Sequence, residues 1–120
     1  MAIEKVREII EHFMFFNEAV RAVVLATSDG LEYLTIGNIE GALISATSAV
    51  ILSTSERISV EAGVGEPREV ILYCESGYLI FVKVSEEMIL CIIASPDLVI
   101  GERFRADLRL LVKQLNETVR

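Results

Sequence analysis

Apolar residues recur at three- and four-residue spacing from the start of the chain. Ile3, Val6, Ile10 and Phe13 share one face of residues 2–16, with Ile9, Met14 and Phe16 beside them, while Glu4, Glu8 and Glu11 lie elsewhere. That spacing predicts an amphipathic helix. Asn17 and Glu18 interrupt it. The period then shortens: Val20 to Thr27 (VRAVVLAT) is brief, apolar and β-branched, and reads as a strand. Ser28-Asp29-Gly30 follows, and Asp-Gly is a strong hairpin signal because both residues tolerate positive φ. Leu31 to Ile36 forms the returning strand, Gly37-Asn38 ends it, and Asn38 is the expected N-cap of what comes next.

What comes next is the most unusual pattern in the chain. Ile39 to Ala62 carries no charge between Glu40 and Glu56, is rich in Ala, Ser and Thr, and contains no proline. A helix of this length spans about 35 Å. At about 100° per residue, Ile39, Leu43, Ala46, Val50 and Ser53 fall on one face, beside Ala42 and Ala49, and this face is expected to lie on a sheet. A second line, Ile44, Ile51 and Ile58, recurs every seven residues well around the helix from the first. Two stripes ask for two partners. A helix enclosed all round by its own core is the alternative, but that belongs to larger proteins.

Gly63-Val64-Gly65 should stop the helix, since glycine there supplies a left-handed cap. A dinucleotide fingerprint needs its glycines after a strand and before a helix. These come in the opposite order, so a phosphate loop is rejected. Pro67 opens a third strand, Arg68 to Glu75, and suits an edge position. Tyr78 to Val84 and Met88 to Ala94 are apolar at nearly every position, which predicts strands covered on both faces. A last helix, beginning near Val99 or Gly101 and ending at Val119, aligns Phe104, Leu108, Leu111, Leu115 and Val119, with Arg103, Arg105, Arg109 and Lys113 around the remainder. The order α-β-β-α-β-β-β-α predicts a single domain over residues 1–120. Its expected form is a three-layer α/β/α sandwich of the α+β kind, built on a central five-stranded antiparallel sheet. In that arrangement only the Ile44–Ile51–Ile58 stripe lacks a partner.

Composition sharpens this. Hydrophobic residues make up 52% of 120, more than one small core requires, while no stretch reads as a membrane span. The surplus points to surface buried against another chain, so oligomerisation is the expectation. The first residues carry charge from Glu4 onward and lack the apolar run of a signal peptide, so a cytoplasmic location is expected. A net charge of −7, with eleven dispersed Lys and Arg, argues against nucleic-acid binding. Cys74 and Cys91 sit in apolar strands and are expected as buried free thiols. The sequon Asn116-Glu117-Thr118 falls in a helical tail and carries no weight without export.

No constellation of catalytic groups emerges. His12 is the only histidine and would have to serve a metal or a triad alone. The cysteines form no CxxC pair, Asp29 and Asp97 occupy turns, and Glu86-Glu87 is a hairpin tip. Phe13, Phe15 and Phe16 read as core and helix end rather than as a stacking platform. The chain is expected to be a binding module: no enzyme, no cofactor, no metal.

Four segments in this order resemble the Roadblock (dynein light chain) family, and within it the small prokaryotic members of the MglB kind. They are AVVLATSDGL at residues 22–31, the long helix ending SERISVEAGVGEPREVIL, the hairpin ESGYLIFVKV, and PDLVIGERFRADLRLL before the C-terminus. The resemblance implies the three-layer fold, dimerisation, and partnership with small Ras-like GTPases or motor complexes. It also implies that third strands pair edge to edge while long helices pack together, which gives the second stripe a use. On that basis the expected interface comprises Ile44, Ser48, Ile51, Ser55 and Ile58 on the helix and Val70, Ile71, Leu72 and Tyr73 on the strand. The expected function is a non-enzymatic homodimeric regulator or scaffold of an MglA-type GTPase. A structural adaptor without effect on GTP turnover is the alternative, and a small-ligand sensor is disfavoured by the lack of convergent polar residues. Arg57, near the helix end, is the one arginine placed to act as a finger; a solvated or ion-paired arginine is the simpler reading.

Overall fold

A computed structural model describes residues 3–119; Ala2, assigned above to the first helix, lies outside them. The elements are α1 (Ile3–Phe15), β1 (Val20–Thr27), β2 (Glu32–Ile36), α2 (Gly41–Glu61), β3 (Val70–Cys74), β4 (Gly77–Lys83), β5 (Met88–Ala94) and α3 (Glu102–Thr118). Their order is the expected one. The strands form one antiparallel sheet in the order β2-β1-β5-β4-β3, so β3 is an edge strand.

Helices cover both faces, which is why β1 and β5 can be apolar at consecutive positions. Val23, Leu25, Leu90 and Ile92 point to one side, where Val6, Ile10 and Phe13 of α1 meet Phe104, Leu108, Leu111 and Leu115 of α3. Val24, Ala26, Ile89 and Cys91 point to the other, under α2. Burying each such aliphatic side chain stabilises the fold by about 1.5–3 kcal/mol.

The C-terminus of α2 closes as its glycine predicted. The Gly63 amide donates to Val60 (3.0 Å) and the Val64 amide to Ser59 (3.0 Å), a paired capping arrangement that needs the left-handed φ of +81° at Gly63. The N-terminus differs from expectation. α2 starts at Gly41, after a Glu40 that makes no side-chain capping bond, so Asn38 is not the cap. Here the approach of α2 to β2 sets the boundary: a Cβ at Gly41 would fall 2.0 Å from the Glu32 carboxylate and 2.1 Å from the Thr35 hydroxyl.

Candidate functional site

The face of α2 that meets the sheet is not the apolar one. Gly41, Ser45, Ser48 and Leu52 are its buried residues, whereas Leu43 and Val50 are 60% and 62% exposed. The expectation that Leu43, Ala46 and Val50 lie on the sheet is therefore overturned. Small residues let the helix axis sit close to the strands, and bulky ones are turned away. The hydroxyls of Ser45 and Ser48 find no nitrogen or oxygen partner. That of Ser48 faces Cys91, whose thiol burial pushes up to about 11. Cys74, by contrast, is exposed at the edge of the sheet, against the expectation of two buried thiols.

The second stripe also lands differently. Ile44 and Ile51 are half-buried on the flank of α2, packed against the core beneath it, and Ile58 is 68% exposed. Ser48 is 1% exposed within the chain itself, so it cannot offer its side chain to a partner; Ser55 is half-buried. The helix lies over β2, β1, β5 and β4. Across the sheet it covers the row in which Phe81 pairs with Cys91, both at most 2% exposed. The next row, Leu72–Leu79–Ile93, runs from the edge strand to the centre and is left incompletely covered. Leu79 and Ile93 were missed from sequence. Their signal was there, in strands with more consecutive apolar positions than one helix can shield.

The open row ends on an unusual edge. β2, at the other margin of the sheet, carries an exposed Glu32, a charge of the kind that discourages edge pairing. β3 (VILYC) carries none. Cys74 opposes Gly77 across the two-residue turn Glu75–Ser76, a pair that is hydrogen-bonded in such hairpins. By alternation, Val70 and Leu72 direct their peptide groups to β4, and Ile71 and Tyr73 direct theirs outward. Tyr73 is 78% exposed and stacks on Tyr78, with centroids 5.1 Å apart. Of the four β3 residues named from sequence, Ile71 and Tyr73 thus present the free edge, while Leu72 belongs to the uncovered row and Val70 is half-buried under α2.

Outside this surface, Lys83 and His12 make contacts within the fold. Lys83 of β4 reaches Glu56 of α2 at 3.7 Å and Glu86 at 3.0 Å, and the Glu86 bond holds its ammonium charged to higher pH. His12 packs against Phe16 with the rings tilted and their centroids 4.8 Å apart. Among the described residues no three His, Cys, Asp or Glu side chains gather as metal ligands, and no helix is long and apolar enough to cross a membrane.

An antiparallel five-stranded sheet between one long and two terminal helices, with a charge-free edge beside an open apolar row, defines a small α/β/α domain built around an unshielded surface. The chain belongs to the Roadblock/LC7 domain family, which matches residues 14–94. Solved structures share the fold over nearly the whole chain. Myxococcus xanthus MglB is 14% identical with a TM-score of 0.84, covering 96% of this chain and 94% of that one. A Roadblock/LC7 domain from Streptomyces avermitilis is 16% identical with a TM-score of 0.84, covering 93% and 95%. The gliding protein MglB from Thermus thermophilus is 13% identical with a TM-score of 0.83, covering 95% and 87%. No curated protein matches the chain.

Proposed function

We propose that this protein is a homodimeric regulator or scaffold of a small Ras-like GTPase of the MglA type, acting through surface rather than through a catalytic side chain. The observation that carries the proposal is the half-exposed row Leu72–Leu79–Ile93 beside the unpaired edge of β3. A central strand leaves such residues uncovered only where something else covers them. A second copy does so economically: two β3 edges pair antiparallel through Ile71 and Tyr73, and the two α2 flanks meet through Ile44 and Ile51 above the joined sheet. Ser48 takes no part, and Ser55 and Ile58 lie at the margin. Association between copies has a parallel in an MglB structure described as having a tetrameric arrangement.

Dimerisation by this route leaves the outward face of α2 free. Leu43, Val50 and Arg57 repeat every seven residues along it, all exposed, and this is the face assigned to the GTPase. The test combines two measurements. Gel filtration with light scattering should give twice the 13.3 kDa chain mass, and adding the small GTPase of the same source should produce a complex with altered GTP hydrolysis. A monomer, or a GTPase that neither binds nor changes its turnover, sinks the proposal. A complex with unchanged turnover selects the adaptor role instead.

A further inference from the structure

Beside the start of β3, where β4 runs on beyond it, the sheet opens on the side opposite α2. The first β3 residue in register is Val70, opposite Phe81, yet β4 pairs with β5 as far as Lys83. Pro67 has no amide to extend the ladder, and residues 66–69 swing away toward α3. A groove of about 600 Å³ lies between that loop, the end of β4 and α3. Its floor is apolar: Val82, Val84 and Leu108 are buried and Val112 is half-buried. Its α3 wall carries Arg105 and Arg109, four residues apart and so neighbours on the helix surface. Arg105 is ion-paired with Glu69, which ties the loop to α3 and holds the groove's shape. Lys83 is engaged by Glu56 and Glu86. Arg68 and Arg109 line the rim and are exposed.

We infer that this groove binds a short acidic segment of a partner protein, seating an apolar side chain on Val82, Val84, Leu108 and Val112 while flanking carboxylates meet Arg109 and Arg68. The charge pattern selects this occupant. A long polyanion or an anionic membrane must face the whole molecule, which carries −7, and must also pass Glu66 and Glu86 on the rim. A short segment needs to reach only Arg68 and Arg109, the lining cations not engaged by a carboxylate among the described residues, while Lys83 and Arg105 are already paired. The groove lies on the α1–α3 side and leaves the α2 face and the outward groups of Ile71 and Tyr73 unoccupied, so this inference stands apart from the dimer.

The test is fluorescence anisotropy on the full chain with a labelled peptide of alternating leucine and glutamate, against one of leucine and lysine. The acidic peptide should bind and the basic one should not. Affinity should fall about tenfold or more on Arg109→Glu, and likewise between about 0.1 M and 1 M salt, where the Debye length shortens from about 10 Å to about 3 Å. Val112→Asp should abolish binding. Arg103→Glu makes the same charge change away from the groove and should leave affinity unaltered, with all variants keeping the parent far-UV spectrum. No binding of the acidic peptide, equal binding of the basic one, or equal weakening by Arg103→Glu and Arg109→Glu would each overturn the inference.

Discussion

The carbonyl oxygen of Ala94 occupies the place beside Gly77 where a side chain would begin: a Cβ on Gly77 would lie 2.2 Å from it. Gly77 also holds a φ of +151°, which L side chains rarely adopt. The β3–β4 hairpin is thereby pressed onto the end of β5 at a point with no slack, since the obstructing atom is backbone. Gly77→Ala should therefore destabilise the fold by about 3 kcal/mol, read as a lower urea midpoint. Wild-type stability in that variant would mean that the hairpin is free to move away from β5.

The alternation set by the Cys74–Gly77 pair gives a cleaner probe of the edge. The Tyr73 amide points away from β4, so its loss costs the monomer no ladder bond. Tyr73→Pro should keep the monomer's far-UV spectrum while shifting it from dimer to monomer in gel filtration at micromolar concentration. Leu72→Pro, whose amide serves β4, should instead damage the fold itself. A Tyr73→Pro chain that remains dimeric places the interface elsewhere.

The element order, the antiparallel sheet, the β3 edge and the glycine cap at Gly63 were all legible in the sequence, because each follows from local periodicity or turn chemistry. The orientation of α2 was not. Hydrophobicity ranks Leu43 and Val50 above Ser45 and Ser48, so a helix packed within one chain should bury the former. Close approach to a sheet favours small residues instead, and the bulky Leu43 and Val50 face outward. The pattern thus revealed two apolar faces while hiding that a third, of small residues, meets the sheet. The groove beside α3 was equally invisible, since its floor and wall come from β4 and α3 residues more than twenty positions apart.

That inversion makes neighbouring residues on α2 separable. Ile51→Glu puts a carboxylate on the half-buried flank, where an unpaired buried charge costs several kcal/mol, and should break the dimer with some loss of stability. Val50→Glu, one residue along and 62% exposed, should leave fold and dimer intact yet weaken GTPase binding about tenfold or more. Arg57→Ala on the same outward line should lower affinity without changing the GTP hydrolysis rate at saturation. A fall of two or more orders of magnitude in that rate would instead make Arg57 an arginine finger.

The two thiols should behave as different chemical species. Cys74 is exposed and should react with a thiol reagent at once, while Cys91 is buried under α2 and should react only as the fold opens. Cys91 also links stability to alkaline pH. Burial raises its folded value from 9.0 to about 11, so the unfolded chain loses this proton first as pH rises. The stabilisation is complete below pH 9 and declines between pH 9 and about 11, by about 2–3 kcal/mol if the thiol acts alone. Urea midpoints measured across that window should fall for the parent and fall less for Cys91→Ala. Equal slopes in the two proteins would leave Cys91 as packing alone.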